Sequence, residues 1–256
     1  MTIQYSHHHL HVGVVGAHRK FWVEGLGATP GPSVGGAEAF TLSGALVLLD
    51  EMPNTGGTKG TTVNHLGFQV PDLRRTVDRL KEAGFPLVTR EEITAVPPEA
   101  VKDDIAFNPT IDANVAMAMG PEGTKVELIE APALAVPIAM HHVHFFSETA
   151  EAMRDWYVAM FGAAPASRGK FKTAELPGVS LTVSPSSQPV VGTSGRVIDH
   201  IGFNVTGLAD LLETLQAAGV RFEMPDPRLK EMGIASAFFT DPWGTSLELT
   251  ERLGDR

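Results

Sequence analysis

Three segments of the chain read as β-strands that carry histidine or glutamate on a single face, and those residue types are the ones that hold metals or move protons. Successive side chains of a strand point to opposite faces. In HHVHFF (141–146), Val143 and Phe145 therefore face one way, and His142, His144 and Phe146 the other. In HIGFNV (200–205), Ile201, Phe203 and Val205 form the apolar face, opposite His200, Gly202 and Asn204. In SLELT (246–250), Leu247 and Leu249 oppose Ser246, Glu248 and Thr250. Cysteine is absent, so a metal site in this chain is built from nitrogen and oxygen donors.

The elements that position these residues come from an internal repeat. Shifting the sequence by 135 positions lays the segment from Asn64 over the segment from Asp199 without a gap, pairing His65 with His200, Gly67 with Gly202, Phe68 with Phe203 and Gly84 with Gly219. Near the end the offset falls to 121, pairing Glu127 with Glu248, which leaves 14 extra residues in the Pro-rich stretch Val88 to Pro109. At the front, HHLHV from His8 matches HHVHF from His141 at offset 133. The halves meet in the linker Ala131 to Pro137. Each half divides again into two units of strand, helix and further strands. Met153, Trp156, Tyr157, Met160 and Phe161 mark one helix face, and Leu208, Leu211, Leu212 and Leu215 another. Asp72 and Thr206 are the expected N-caps, and Gly84 and Gly219 the stops. Gly25 weakens the first unit's helix, around Ala17 to Leu26.

Of 256 residues 43% are hydrophobic, enough for a sizeable core, and 20 basic against 30 acidic residues give a formal charge of −10. No Lys/Arg-dense stretch exists to neutralise a phosphate backbone, so nucleic acid is not an expected partner. No apolar run reaches the ~20 residues of a membrane span, and the first residues lack a signal-peptide pattern. The expectation is a cytoplasmic protein with a small-molecule substrate and no membrane partner, as a monomer or homodimer.

With HVHFF followed by Trp156, Tyr157 and Gly162, with HIGFNV, and with DPWGTSLEL (241–249) in order, the chain resembles the vicinal oxygen chelate superfamily of glyoxalases, bleomycin resistance proteins and extradiol dioxygenases. The resemblance implies an α+β fold of four βαβββ modules paired into two similar domains, each with a curved mixed sheet forming an open cup with helices outside. The expected domains are 1–132 and 137–256. It also implies a metal in the second half, held by His142, His200 and Glu248, with the family's fourth ligand position falling near Thr182. Two histidines and a carboxylate with open positions suit Fe(II) or Mn(II) and also accept Zn(II) or Ni(II). Such an ion would bind two neighbouring substrate oxygens as a Lewis acid.

In the first half His9, His65 and Glu127 occupy the corresponding positions as a second set. Lys125, two residues before Glu127, is expected to pair with that carboxylate or to repel a cation there. The extradiol pattern calls for tyrosine where Phe238 stands and for a histidine between Val205 and Asp241, where none occurs. The glyoxalase pattern calls for a carboxylate near Thr182. The expected activity is a metal-dependent lyase, isomerase or oxygenase whose general base is sought among His144, Glu175 and Glu251. The alternative is a metal-free small-molecule binding or resistance protein of the same fold. His11, His18, His141 and, before any role as base, His144 are expected to be hydrogen-bonded structural residues, the Trp156–Tyr157 pair to be helix core, and Gly67 and Gly202 to be backbone-packing positions.

Overall fold

The computed structural model describes residues 1–223 and 227–251. The first module contains β1 (Thr2–Val12), α1 (Val15–Arg19), β2 (Thr29–Pro30), β3 (Glu38–Leu42) and β4 (Ala45–Glu51); the second contains β5 (Val63–Val70), α2 (Leu73–Glu82), α3 (Thr89–Glu92), β6 (Ala106–Asn108), β7 (Ala113–Met119) and β8 (Lys125–Glu130). The third is β9 (Ala139–Ser147), α4 (Ala150–Phe161), β10 (Ala164–Arg168), β11 (Phe171–Leu176) and β12 (Val179–Pro185). The fourth is β13 (Ile198–Thr206), α5 (Leu208–Ala217), β14 (Phe222–Glu223), α6 (Pro227–Glu231), β15 (Ala235–Thr240) and β16 (Ser246–Glu251). This is the expected α+β arrangement of four βαβββ modules in two mixed eight-stranded sheets. No helix among the described residues is long and apolar enough to cross a membrane.

The pairing of modules differs from the sequential one. One sheet runs β14-β15-β16-β13-β1-β4-β3-β2 and the other β10-β11-β12-β9-β5-β8-β7-β6. The first module therefore joins the fourth, and the second joins the third, so neither 1–132 nor 137–256 closes a cup by itself. In each sheet the two first strands meet antiparallel, with His9 opposite His200 and His65 opposite His144. Each also lies parallel to the last strand of its own module, so that Glu127 sits beside Gly67 and Glu248 beside Gly202.

A single apolar core lies between the sheets. Across it the His8 and Trp22 rings meet Phe68, and Phe161 meets Phe203. The helix-facing sides thus share the core, and the polar strand faces point away from it. Asp72 caps α2 by accepting from the Arg75 backbone N–H at 2.9 Å. Thr206 does not cap α5. Gly207 holds that position with φ +81°, and Glu251 Oε1 accepts from its N–H at 2.8 Å, which commits Glu251 to a structural role. Gly25 falls in a π-helical stretch, Lys20–Gly25, that continues α1; a Cβ there would come within 2.8 Å of Leu80 Cδ2, so the helices approach through the glycine. Tyr157 is buried and donates to Asp241 Oδ2 at 2.8 Å, and Trp156 packs on the core.

Candidate metal centres

The central strands of the second-and-third-module sheet bring His65 and His142 together, and β8 adds Glu127. His142 Nε2 lies 3.2 Å from Glu127 Oε2 and 3.3 Å from His65 Nε2, and His65 Nε2 lies 3.5 Å from the same carboxylate oxygen. Donors about 2.1 Å from one divalent ion stand ~3.0 Å apart at octahedral right angles and ~3.4 Å apart in a tetrahedron, so these spacings fit a single transition-metal ion. His144 completes the group, with donor atoms of all four residues within 4.8 Å of one another; its Nε2 also hydrogen-bonds to Ser184 Oγ at 2.7 Å. Behind the ligands, Asn64 Oδ1 accepts from His65 Nδ1 at 3.0 Å. His141 Nδ1 lies 2.9 Å from His142 Nδ1 and takes the same role when His142 presents its Nε2 lone pair to an ion. Such partners fix ring orientation and tautomer.

The first-and-fourth-module sheet repeats this arrangement with His7, His9, His200 and Glu248. His7 Nε2 lies 2.9 Å and His200 Nε2 3.5 Å from Glu248 Oε2. The Nε2 atoms of His7, His9 and His200 and Oε1 of Glu248 are buried and have no aligned hydrogen-bond partner. Buried polar atoms seldom remain unpaired; donor atoms of His7, His9 and His200 lie within 4.8 Å of one another, with Glu248 Oε2 beside two of them, which makes this a second candidate site for a cation. Ser6 Oγ at 2.9 Å from His7 Nδ1 and Asp199 Oδ2 at 2.8 Å from His200 Nδ1 orient the rings.

The trio His142, His200 and Glu248 does not converge. His200 and Glu248 stay together, but His142 lies in the other sheet, because its strand pairs with β5 rather than β13. The second set divides likewise, with His65 and Glu127 in one cluster and His9 in the other. His7 was missed, and the signal for it was present. Matching HHLHV to HHVHF by identity broke the register by two residues, whereas the unbroken 135 offset places His7 over His142 and His9 over His144. Lys125 does not pair with Glu127: its buried ammonium donates to Glu92 Oε2 at 2.7 Å. Glu175 accepts from Ser180 Oγ at 2.8 Å. His11 lies 3.5 Å from Asp199 and His18 3.5 Å from Glu122, both outside the clusters. Gly67 and Gly202 admit the rings of His142 and His7, which a Cβ would overlap.

The pockets at the two donor groups differ in size and charge. The one containing His65, Glu127 and His144 has a volume of about 490 Å³, and the insertion supplies part of its wall through Glu92, Ile93 and Asn108. The other, with His9, His200 and Glu248, has about 220 Å³. Burial lowers the His142 pKa to about 3, outweighing Glu127, and lowers that of His65 too. Burial would raise the Glu127 pKa, but His142 and His65 hold it well below the usual carboxylate range. The larger cup's ligands thus stand ready for a cation at neutral pH. In the smaller cup, burial opposes protonation of His200, but Asp199 and Glu248 together lift it to about 9.

A metal ion entering the smaller cup at pH 7 must displace that proton. With one cup left by substitution, calorimetry in buffers of different ionisation enthalpy is expected to read about one proton released per ion in the His142→Ala chain and about none in Glu248→Ala. Equal release from both would refute the assignment. In the metal-free chain the His200 proton stabilises the fold fully below its ordinary value of 6.5, and that contribution is lost as pH rises through about 9.

Two curved sheets, each from two βαβββ units with donors on first and last strands, agree with the fold expected from the sequence. Residues 139–249 match the family model described as Glyoxalase/Bleomycin resistance protein/Dioxygenase superfamily, and over the remainder the likeness to solved structures is one of fold. Glyoxalase I from Zea mays is similar at 15% identity over 98% of this chain and 92% of its own, with TM-score 0.70. A point mutant of the same enzyme reaches TM-score 0.73 at 15% identity over 98% and 94%. A putative dioxygenase from Bacillus subtilis reaches 0.67 at 13% identity over 98% and 85%. Comparison with curated proteins gives no match. The matched segment spans the third and fourth modules, and so supplies half of each cup.

Proposed function

We propose that the chain is a divalent-metal-dependent enzyme that acts on a small organic molecule chelated through vicinal oxygens, and that the larger cup is its working site. The observation that carries this reading is the set of three donor atoms, from His65, Glu127 and His142, within 3.5 Å of one another beside a cavity of about 490 Å³. Two imidazoles and one carboxylate favour Fe(II) or Mn(II), with Zn(II) and Ni(II) as further candidates. A bound ion would supply Lewis-acid stabilisation of negative charge developing on substrate oxygen. The chain itself does the rest. Asn64 and His141 hold the ligand rings, Phe146 and Phe171 flank the substrate and exclude water, and His144, hydrogen-bonded through Nε2 to Ser184, is the imidazole of the cup left outside the three-donor set and so the one placed to exchange a proton with substrate. Lyase or isomerase and dioxygenase chemistry remain the two reaction classes, and a metal-free binding protein is the alternative.

The chain, purified without a polyhistidine tag, is offered Fe(II), Mn(II), Zn(II) and Ni(II) and analysed for bound metal. Loaded protein is then tested for α-proton exchange of hydroxyketones in D2O, as lyase or isomerase chemistry requires, and for oxygen uptake with catechols. Up to about two ions per chain and one of these activities are expected. A folded chain that stays metal-free sinks the reading and favours the binding-protein alternative.

A further inference from the structure

We infer that the larger cup takes an anionic substrate and that Arg168 recognises its charge; the inference rests on that cup being the working site. The hairpin tip between β10 and β11 presents Arg168, Lys170 and Phe171 to the cavity. Gly169, at φ +58°, is seated on Thr110, where a Cβ would overlap the threonine methyl, so the tip rests on the loop after β6.

Arg168 has unusual company for a largely buried cation. Its Nη2 donates to Thr182 Oγ1 at 2.7 Å, and its Nη1 lies 3.2 Å from His141 Nδ1. Among the described residues no carboxylate forms an ion pair with Arg168; Glu127 and Glu175 act on it only at longer range. A guanidinium carries five N–H donors in a fixed fork, and these two contacts leave donors for a ligand. A desolvated cation without an anionic partner is costly, and a planar fork suits carboxylate or phosphate. Thr182, which accepts from Arg168, carries no charge to neutralise it.

The cup's charge agrees. Its wall carries Lys59, Lys125, Arg168 and Lys170 against Glu91, Glu92 and Glu127, a net positive charge before any metal is counted, in a chain of formal charge −10. The smaller cup has Arg228 against Asp50, Asp199 and Glu248. Ile93, Met117, Phe146 and Phe171 line the space in the larger cup. The substrate class that fits has vicinal oxygens at one end, an apolar body and an anionic group, carboxylate or phosphate, at the other.

The test uses full-length Co(II)-loaded chain of measured metal content and two matched probe pairs. These are 3,4-dihydroxybenzoate against its methyl ester, and dihydroxyacetone phosphate against dihydroxyacetone. Calorimetry is expected to find the charged member of at least one pair about tenfold tighter or more, and which pair does so identifies the anion. Arg168→Gln, folded and metal-loaded, should reduce that ratio to within about twofold, whereas Arg228→Gln leaves it unchanged. A merely structural role for Arg168 would weaken both members of a pair equally and keep the ratio. Equal affinities in wild type, a ratio that survives Arg168→Gln, or no binding of either charged probe to loaded chain overturns the proposal alone. A chain that takes no metal overturns the functional reading and this proposal with it.

Discussion

His142→Ala is expected to remove one metal ion per chain and to weaken 3,4-dihydroxybenzoate binding to Co(II)-loaded protein at least about 100-fold, the upper end of what losing even an outer partner of a ligand costs. Glu248→Ala also removes one ion, but leaves the probe's affinity within about threefold, because its carboxylate serves the other cup. Elemental analysis and calorimetry on folded variants read both numbers. Were His142, His200 and Glu248 ligands of one ion, as the strand faces first suggest, the two substitutions would be indistinguishable. Here His65→Ala and Glu127→Ala should behave as His142→Ala does, and His7→Ala and His200→Ala as Glu248→Ala does. A single class of effect across all six would refute the division into two centres.

Gly67→Ala should be nearly as damaging to the larger cup as loss of the ligand itself. The added methyl overlaps the His142 ring, which lies over the glycine on the neighbouring strand. Overpacking of this kind costs about 1–3 kcal/mol, and the cheapest relief is to swing the imidazole away from Glu127. Metal affinity at that centre is therefore expected to fall by about tenfold or more, since each 1.4 kcal/mol is a factor of ten, with thermal stability lowered only modestly. Gly202→Ala should do the same to His7 and the smaller cup alone. Full metal affinity in Gly67→Ala chain of normal stability would show that the ring does not need that space.

Much of this architecture is legible in the residues. The alternation in HHVHFF, HIGFNV and SLELT assigns His142, His144, His200 and Glu248 to the strand faces they occupy, and the Leu208–Leu215 stripe locates α5 within the observed helix. Which modules pair is not legible. Both sheets use the same first-strand pattern, so His142 looks equally suited to His65 or to His200, and the choice is made by long-range strand pairing that leaves no local mark. His7 was obscured for a different reason. His8 interrupts the polar alternation where the repeat has Val143, and its imidazole is buried in the core, 3.2 Å from the Tyr5 hydroxyl through Nδ1. A histidine that acts as an apolar residue makes the run of three look two residues out of register. Lys125 misled because its partner, Glu92, comes from the insertion, whose path across the cup no periodicity reveals. Arg168 gave no signal at all, since its meaning depends on the absence of a carboxylate beside it in space.

Because every cup draws one module from each half of the duplication, neither half alone contains a complete ligand set. A half-length forebear could have assembled these sites only by exchanging modules with a second copy of itself, so that each centre stood at a subunit boundary. Within a single chain the two cups need not be alike: one has the longer wall and an excess of positive charge, and the other an acidic pocket, a difference that a symmetric pair of identical half-length subunits could not show.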